Sequence, residues 1–215
     1  MKSIIITIGK VMILTVIFSL SLQGVMAQAS KKEAKSVAKE AKKEAKKLTK
    51  AGWVVPPGQL PIESQLNKAY LMRYDRDDKG MEKYIFGNAQ SIAGNLDAGK
   101  MQATELARLD LAGKLGAQIN QLIESSLANA QLEPDEAVSI TETVAESTTA
   151  ISATLKRIET ITEMYRELPN KNREVQIGLA YNTQMALDEA KETVKKNLEK
   201  RGSELRSKLD QALGF

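Results

Sequence analysis

Any chemistry in this chain would have to come from carboxylates, hydroxyls and lysines, because its 215 residues include no histidine and no cysteine. Without imidazole the usual general base near neutral pH and the commonest metal ligand are both missing. Serine–histidine and cysteine–histidine nucleophiles and ordinary zinc sites are therefore excluded within the chain. Two carboxylate pairs remain as candidates for acid–base work on wall glycan or peptide, Glu105 with Asp110 and Glu142 with Glu146. The i, i+4 spacing of the second pair also describes a solvated helix face, and aromatic residues make up only 4% of the chain, too few for a sugar-stacking platform. Ser30 beside Lys31 and Ser36 near Lys39 are chance neighbours in a lysine-rich run. The stretch DRDDKG, Asp75 to Gly80, invites a calcium-loop reading, but the fifth position is Lys79 and the twelfth is Phe86. It predicts a polar turn before a strand. No catalytic, cofactor-binding or metal-binding set emerges, and no convergent polar group marks a small-molecule or glycan pocket. The expectation is a protein that is not an enzyme and carries no cofactor.

The strongest signal is electrostatic. Residues 31–50 hold nine lysines (Lys31, Lys32, Lys35, Lys39, Lys42, Lys43, Lys46, Lys47 and Lys50) against Glu33, Glu40 and Glu44, a net of +6. Of the chain's net +4, Lys2 and Lys10 supply two positives, so residues 51–215 carry −4. The basic character belongs to one short segment and not to the remainder. Within that segment Ala34, Ala38, Ala41, Ala45 and Leu48 are spaced 4, 3, 4, 3, a narrow stripe on one side of a helix that Gly52 would stop. Three roles fit such an arm. It is a solvated linker helix, an electrostatic tether to anionic envelope material, or a thin coiled-coil contact with a partner helix. Nucleic acid is not an expected partner, since the arm has no interleaved aromatics.

The first 27 residues read as an export signal. Lys2 and Lys10 are their only charges, Val11 to Leu22 is an apolar run, and Val25 and Ala27 are the small residues expected before a cut after Ala27. Ser19, Ser21, Gln23 and Gly24 interrupt the run before it reaches membrane-spanning length. With no cysteine, neither a lipid-anchored amino terminus nor a disulfide framework is expected. The expected location is periplasmic or outer-membrane-associated.

These residues need elements to position them. AGWVVPPGQLPIESQL reads as an extended strap, because Pro56, Pro57 and Pro61 cannot continue a helix, and Trp53, with Val54, Val55, Leu60 and Ile62, would fasten it to the domain. Leu66, Ala69, Tyr70 and Tyr74 predict a short helix. Tyr84, Ile85 and Phe86 begin a strand in which Gly87 marks a bulge or a close approach. A long helix over 98–127 shows an apolar face of Met101, Leu106, Leu111, Leu115, Ile119, Leu122 and Leu127, with Gly113 and Gly116 allowing close approach to a sheet. A helix restarts at Pro134. The threonine-rich stretch 147–168 predicts a long, bent strand with a bulge near Arg157. A turn at Pro169 to Asn172 then joins it to a strand in which Val175, Ile177, Leu179 and Tyr181 share a face. A last helix over 183–213 has Leu187, Ala190, Val194, Leu198, Leu205 and Leu209 inside and solvated charges such as Lys195, Lys196, Glu199, Lys200 and Arg201 outside. The sum is a two-layer α+β domain, a small antiparallel sheet of about three strands packed on long helices, with the edges of that sheet leaving a homo-oligomer open.

GNAQSIAGNLDAGKMQATELARLDLAGKLGAQI, followed much later by TLKRIETITEMYREL and REVQIGLAYN, resembles the lipoprotein-20 family of bacterial envelope proteins, whose fold is related to the amino-terminal domain of flagellar assembly protein T. KKEAKKLTKAGW and MYRELPNKN are similar to stretches in exported proteins of Bacteroides-like bacteria. The resemblance covers about Tyr84 to Leu187 and implies a sheet packed on a helix, an envelope location and a role in assembly or surface interaction. It lends no catalytic residues, and the missing lipobox cysteine departs from it. The expected organisation is a signal at 1–27, a lysine-rich helical arm at 28–51, a strap with a short helix at 52–83, and the α+β domain at 84–215. The expected role is an envelope interaction or assembly module, its partner an anionic envelope surface or an envelope protein.

Overall fold

In the computed structural model, residues 33–128 and 132–199 are described. Residues 1–27, expected to be an export signal, and Lys31, Lys32, Leu205, Leu209, Lys200 and Arg201 lie outside them. The elements are α1 (33–50), α2 (Ile62–Tyr74), β1 (Tyr84–Ala93), α3 (Leu96–Ala128), α4 (Pro134–Thr154), β2 (Glu159–Glu167), β3 (Arg173–Asn182) and α5 (Thr183–Glu199). The three strands form one antiparallel sheet in the order β1-β3-β2. The fold is α+β, with helices on both faces of the sheet, one layer more than the sequence reading expects.

Val175, Ile177, Leu179 and Tyr181 of β3 share one face and meet α3, α4 and α5 in the main core with Leu111, Leu115, Ile119, Ile140, Ile151 and Val194. The opposite face carries Ala180 and Ile161 under Ala69 of α2, and Met164 under Ala41 and Ala45 of α1 with Trp53 and Leu66. A strand sends alternate side chains to opposite faces, so covering both faces requires apolar residues in both registers, which β2 supplies with Met164 on this face and Tyr165 against the main core.

Helix α3 sits directly on β1. A Cβ on Gly87 would overlap the Ala107 carbonyl oxygen and lie 2.9 Å from Leu111 Cβ, so only glycine permits this approach. The close approach expected of Gly87 is real, whereas Gly113 is exposed with nothing within 4 Å and Gly116 faces Val144 of α4, not the sheet. The inner face of α3 also starts differently. Ala103 and Ala107 are fully buried where the helix lies closest to the sheet, and Met101, Leu106 and Leu122 are exposed.

The largest correction concerns 147–168. Helix α4 runs on through Thr154, and β2 begins only at Glu159, with its bulge between Thr160 and Thr162 instead of near Arg157. Ala137, Ile140, Val144, Ser147 and Ile151 form a buried stripe at spacings of 3, 4, 3 and 4. The β-favouring threonines are accommodated because their hydroxyls, with that of Ser147, donate to carbonyls one turn back: Thr143 to Ser139 at 2.9 Å and Ser147 to Thr143 at 2.6 Å. Glu136 starts the helix by accepting from the Glu133 N–H at 3.0 Å, with Pro134 in the first turn.

The hairpin from β2 to β3 turns at Pro169 to Asn172, where Lys171 has φ 64° and its N–H donates to Leu168 O at 2.9 Å. The DRDDKG stretch is a turn, Asp77 accepting the N–H groups of Lys79 and Met81 at 2.9 and 2.8 Å. On α5, Lys195 is buried and not solvated, its ammonium 3.2 Å from Glu192. Lys191 is buried beside it, and burial pushes its ammonium below the usual lysine range.

Candidate functional site

Helix α1 has three distinct sides, set by its 3.6-residue period. Val37, Ala41 and Ala45 are buried, Leu48 is half-buried, and these dock the helix against α2, Trp53 and Met164. Ala34 and Ala38, expected in that stripe, are exposed, and Val37 takes the place of Ala38. Glu33, Glu40 and Glu44 fall together on one flank. Lys35, Lys39, Lys42, Lys43, Lys46, Lys47 and Lys50 occupy the remaining side, and every one of them is exposed.

The acidic flank faces α2. Glu33 and Glu40 line an open groove of about 550 Å³ with Val37, Leu71, Tyr74 and Asp75. Burial, and after it the charges of Glu44 and Glu40, raise the Tyr70 phenol above its ordinary value. The three glutamates thus lie toward α2 and apart from the lysine side, with Lys47 reaching back to Glu44 at 3.0 Å. Tyr74, expected on the buried side of α2, is 65% exposed at the rim of this groove.

The carboxyl end of α1 is fixed by the strap. The Trp53 N–H donates to Leu48 O at 3.0 Å, closing the helix at Gly52 with φ 85°. Trp53 is 5% exposed and lies under the Arg166 guanidinium at 5.1 Å from the ring centroid. Arg166 is held in turn by Glu174 at 2.6 Å. Val54 exchanges both backbone hydrogen bonds with Tyr165, at 2.8 and 2.9 Å, so the strap covers the outer edge of β2. Gln65 of α2 completes that cover by accepting the Glu163 N–H at 2.7 Å. Val54 and Leu60 are exposed, at 46% and 58%, so Trp53 and Ile62 carry the apolar anchoring. Beside Trp53, Val54, Val55 and Ile62 open a shallow apolar groove of about 920 Å³ with Lys46 and Lys50 on its rim.

The acid–base candidates do not assemble. Asp110 accepts the Asn88 N–H at 2.9 Å and pairs with Lys114 at 2.7 Å, which commits it to the edge of β1, while Glu105 is exposed one turn earlier. Glu142 and Glu146 lie on the exposed side of α4. Ser36 and Lys39 are exposed on α1, and Ser30 lies outside the described residues. Among the described residues no group of three or more carboxylates is placed to hold a metal ion, and no helix is long and apolar enough to cross a membrane. Glu163, buried in β2, is met by Lys100 of α3 at 2.7 Å and by Gln59 at 3.3 Å.

The sequence reading missed the acidic flank and the groove beside Trp53. The 33, 40, 44 spacing of the glutamates was the available signal for the first; the groove depends on how the strap folds back and has no local signal. No protein-family model, curated protein or solved structure matches this chain.

Proposed function

We propose that this chain is an exported, non-enzymatic protein of the bacterial envelope that docks on an anionic surface through the lysine side of α1. The carrying observation is that α1 is held to the domain by Val37, Ala41 and Ala45 while seven lysines face solvent and three glutamates are turned aside. A docked helix presents its charges as a fixed array, and such an array gains about 1 kcal/mol per basic residue near an anionic membrane surface. The apolar groove beneath Lys46 and Lys50 supports a lipid-like surface over a purely polar polymer. The leader-like start supports export, and the resemblance to the lipoprotein-20 family supports an interaction or assembly role.

Because Ala41 and Ala45 are core residues, removing the arm would damage the fold and prove nothing. The test is co-sedimentation with phosphatidylcholine vesicles, with and without phosphatidylglycerol, using the native chain and a variant carrying Lys39→Gln, Lys42→Gln, Lys43→Gln, Lys46→Gln and Lys50→Gln. Binding is expected only to the anionic vesicles, to fall steeply with salt, and to vanish in the variant while the melting temperature holds. Equal binding by the variant, or binding to neutral vesicles, overturns the proposal.

A further inference from the structure

The two edges of the sheet are treated differently. The β2 edge is covered by Val54 and Gln65. The β1 edge is covered over half its length. In the β1–β3 register, Lys83 accepts the Thr183 N–H at 2.9 Å, which places the backbone groups of Phe86, Asn88, Gln90 and Ile92 on the outer side. Helix α3 reaches round to the first two. Lys114 donates to Phe86 O at 2.7 Å, and Asp110 accepts from the Asn88 N–H at 2.9 Å.

It reaches no further because it crosses the sheet obliquely. Near its start Gly99 lies against Val175 of β3, and Lys100 reaches Glu163 on β2. At Ala107 and Leu111 the helix is over Gly87 of β1. The outward N–H and C=O of Gln90 and Ile92 are therefore left without a partner among the described residues.

This stretch also lacks the usual protection. From Gly87 to Leu96 there is no charge and no proline, the pairing to β3 runs without a bulge, and Ile92 is 55% exposed. An edge with unpaired donors and acceptors and no gatekeeper is a template for another strand.

The geometry points to a second copy of this chain as that strand, with β1 pairing antiparallel to β1 of the copy about a two-fold axis through Ser91. In that register Gln90 of each copy faces Ile92 of the other, and the four free donors and four free acceptors satisfy one another. The Phe86 to Asn88 stretch clasped by α3 faces Gly94 and beyond in the partner, where the chain leaves the sheet to enter α3, so the clasps stay intact. Centring the pair on Gln90 instead sets Ile92 against Asn88, whose N–H Asp110 already holds, and centring it on Ile92 sets Gln90 against Gly94, past the end of the strand. The result is a six-stranded sheet. The contact is small, so the dimer is a concentration-dependent one.

Analytical ultracentrifugation of the native chain over a wide concentration range is expected to show a monomer–dimer equilibrium. Ile92→Pro removes one outward donor without touching the ladder to β3 and is expected to abolish the dimer. Because a proline in a strand also bears on folding, a second measurement uses the natural lack of cysteine. A Gln90→Cys chain mixed with an Ile92→Cys chain is expected to form a disulfide-linked heterodimer on mild oxidation, and neither chain alone is expected to cross-link comparably. A native chain that stays monomeric, a dimer that survives Ile92→Pro, or cross-linking without the 90–92 preference overturns the inference. Capture of a different protein's strand by a chain that is itself monomeric counts among those overturning results.

Discussion

Three glycines show how little a residue's type says until its neighbours are known. Gly87 has its missing Cβ aimed at the Ala107 carbonyl, a backbone atom that cannot yield without moving α3. Gly113 has open space around it in the middle of the same helix, and Gly116 has only the Val144 side chain at 3.4 Å. Gly87→Ala is therefore expected to destabilise by about 1–3 kcal/mol, as overpacking does. Gly113→Ala is expected to stabilise, by up to about 1 kcal/mol, since it only relieves the helix of a poor former. Denaturant unfolding of the two variants checks the pair, and a Gly87→Ala chain as stable as the native one would mean that α3 is not seated where the packing puts it. The sequence alone marked Gly87 as a bulge or a close approach, the two common reasons for an isolated glycine in a strand, and the unbulged pairing to β3 leaves the second. It credited Gly113 and Gly116 with the same role wrongly, because a helix has a solvent side and glycine spacing does not say which side faces the sheet.

At the scale of elements, legibility followed period. β3 was readable because Val175, Ile177, Leu179 and Tyr181 alternate without interruption. The segment after Ser147 was misread because threonine and isoleucine favour strands, and that preference outweighed a helical stripe running unbroken from Ala137 to Ile151. Propensity is a weak prior where hydroxyls can bond back to the preceding turn, as those of Thr143, Ser147 and Thr154 do. Helix α1 was located correctly, yet its docking was not legible, since a stripe of alanine buries too little area to announce a core contact. That docking has a direct consequence. Ala41, with no exposed surface, sits among Trp53, Leu66 and Met164, so Ala41→Asp buries a charge without a partner and is expected to release α1 at a cost of several kcal/mol. Trp53 is the single tryptophan, and its fluorescence should shift to the red and become quenchable by iodide as the helix leaves. An unchanged emission spectrum in a folded Ala41→Asp chain would show that α1 is not part of the core.

The whole molecule divides its labour between the two faces of the sheet. α3, α4 and α5 hold the large core, and α1, α2 and the strap form a thinner layer whose outside is the lysine array. The edge pairing proposed for β1 has its two-fold axis perpendicular to the sheet, so it keeps each face on its own side and turns both lysine arrays the same way. Two arrays on one rigid body bind a surface with the second contact intramolecular, and the gain over one array depends on how far apart the anionic groups are. The native chain is accordingly expected to partition onto vesicles of low phosphatidylglycerol content about ten-fold or more better than Ile92→Pro, with the difference shrinking as anionic lipid becomes abundant and a single array suffices. Co-sedimentation across a series of lipid compositions measures this, at protein concentrations on both sides of the dimerisation midpoint. A constant ratio across the series would mean that the two arrays do not engage together, leaving the dimer and the lysine face as separate properties. A ratio that grows as anionic lipid is diluted would tie them into one device, in which an unprotected strand edge sets how sparsely charged a surface the protein can hold.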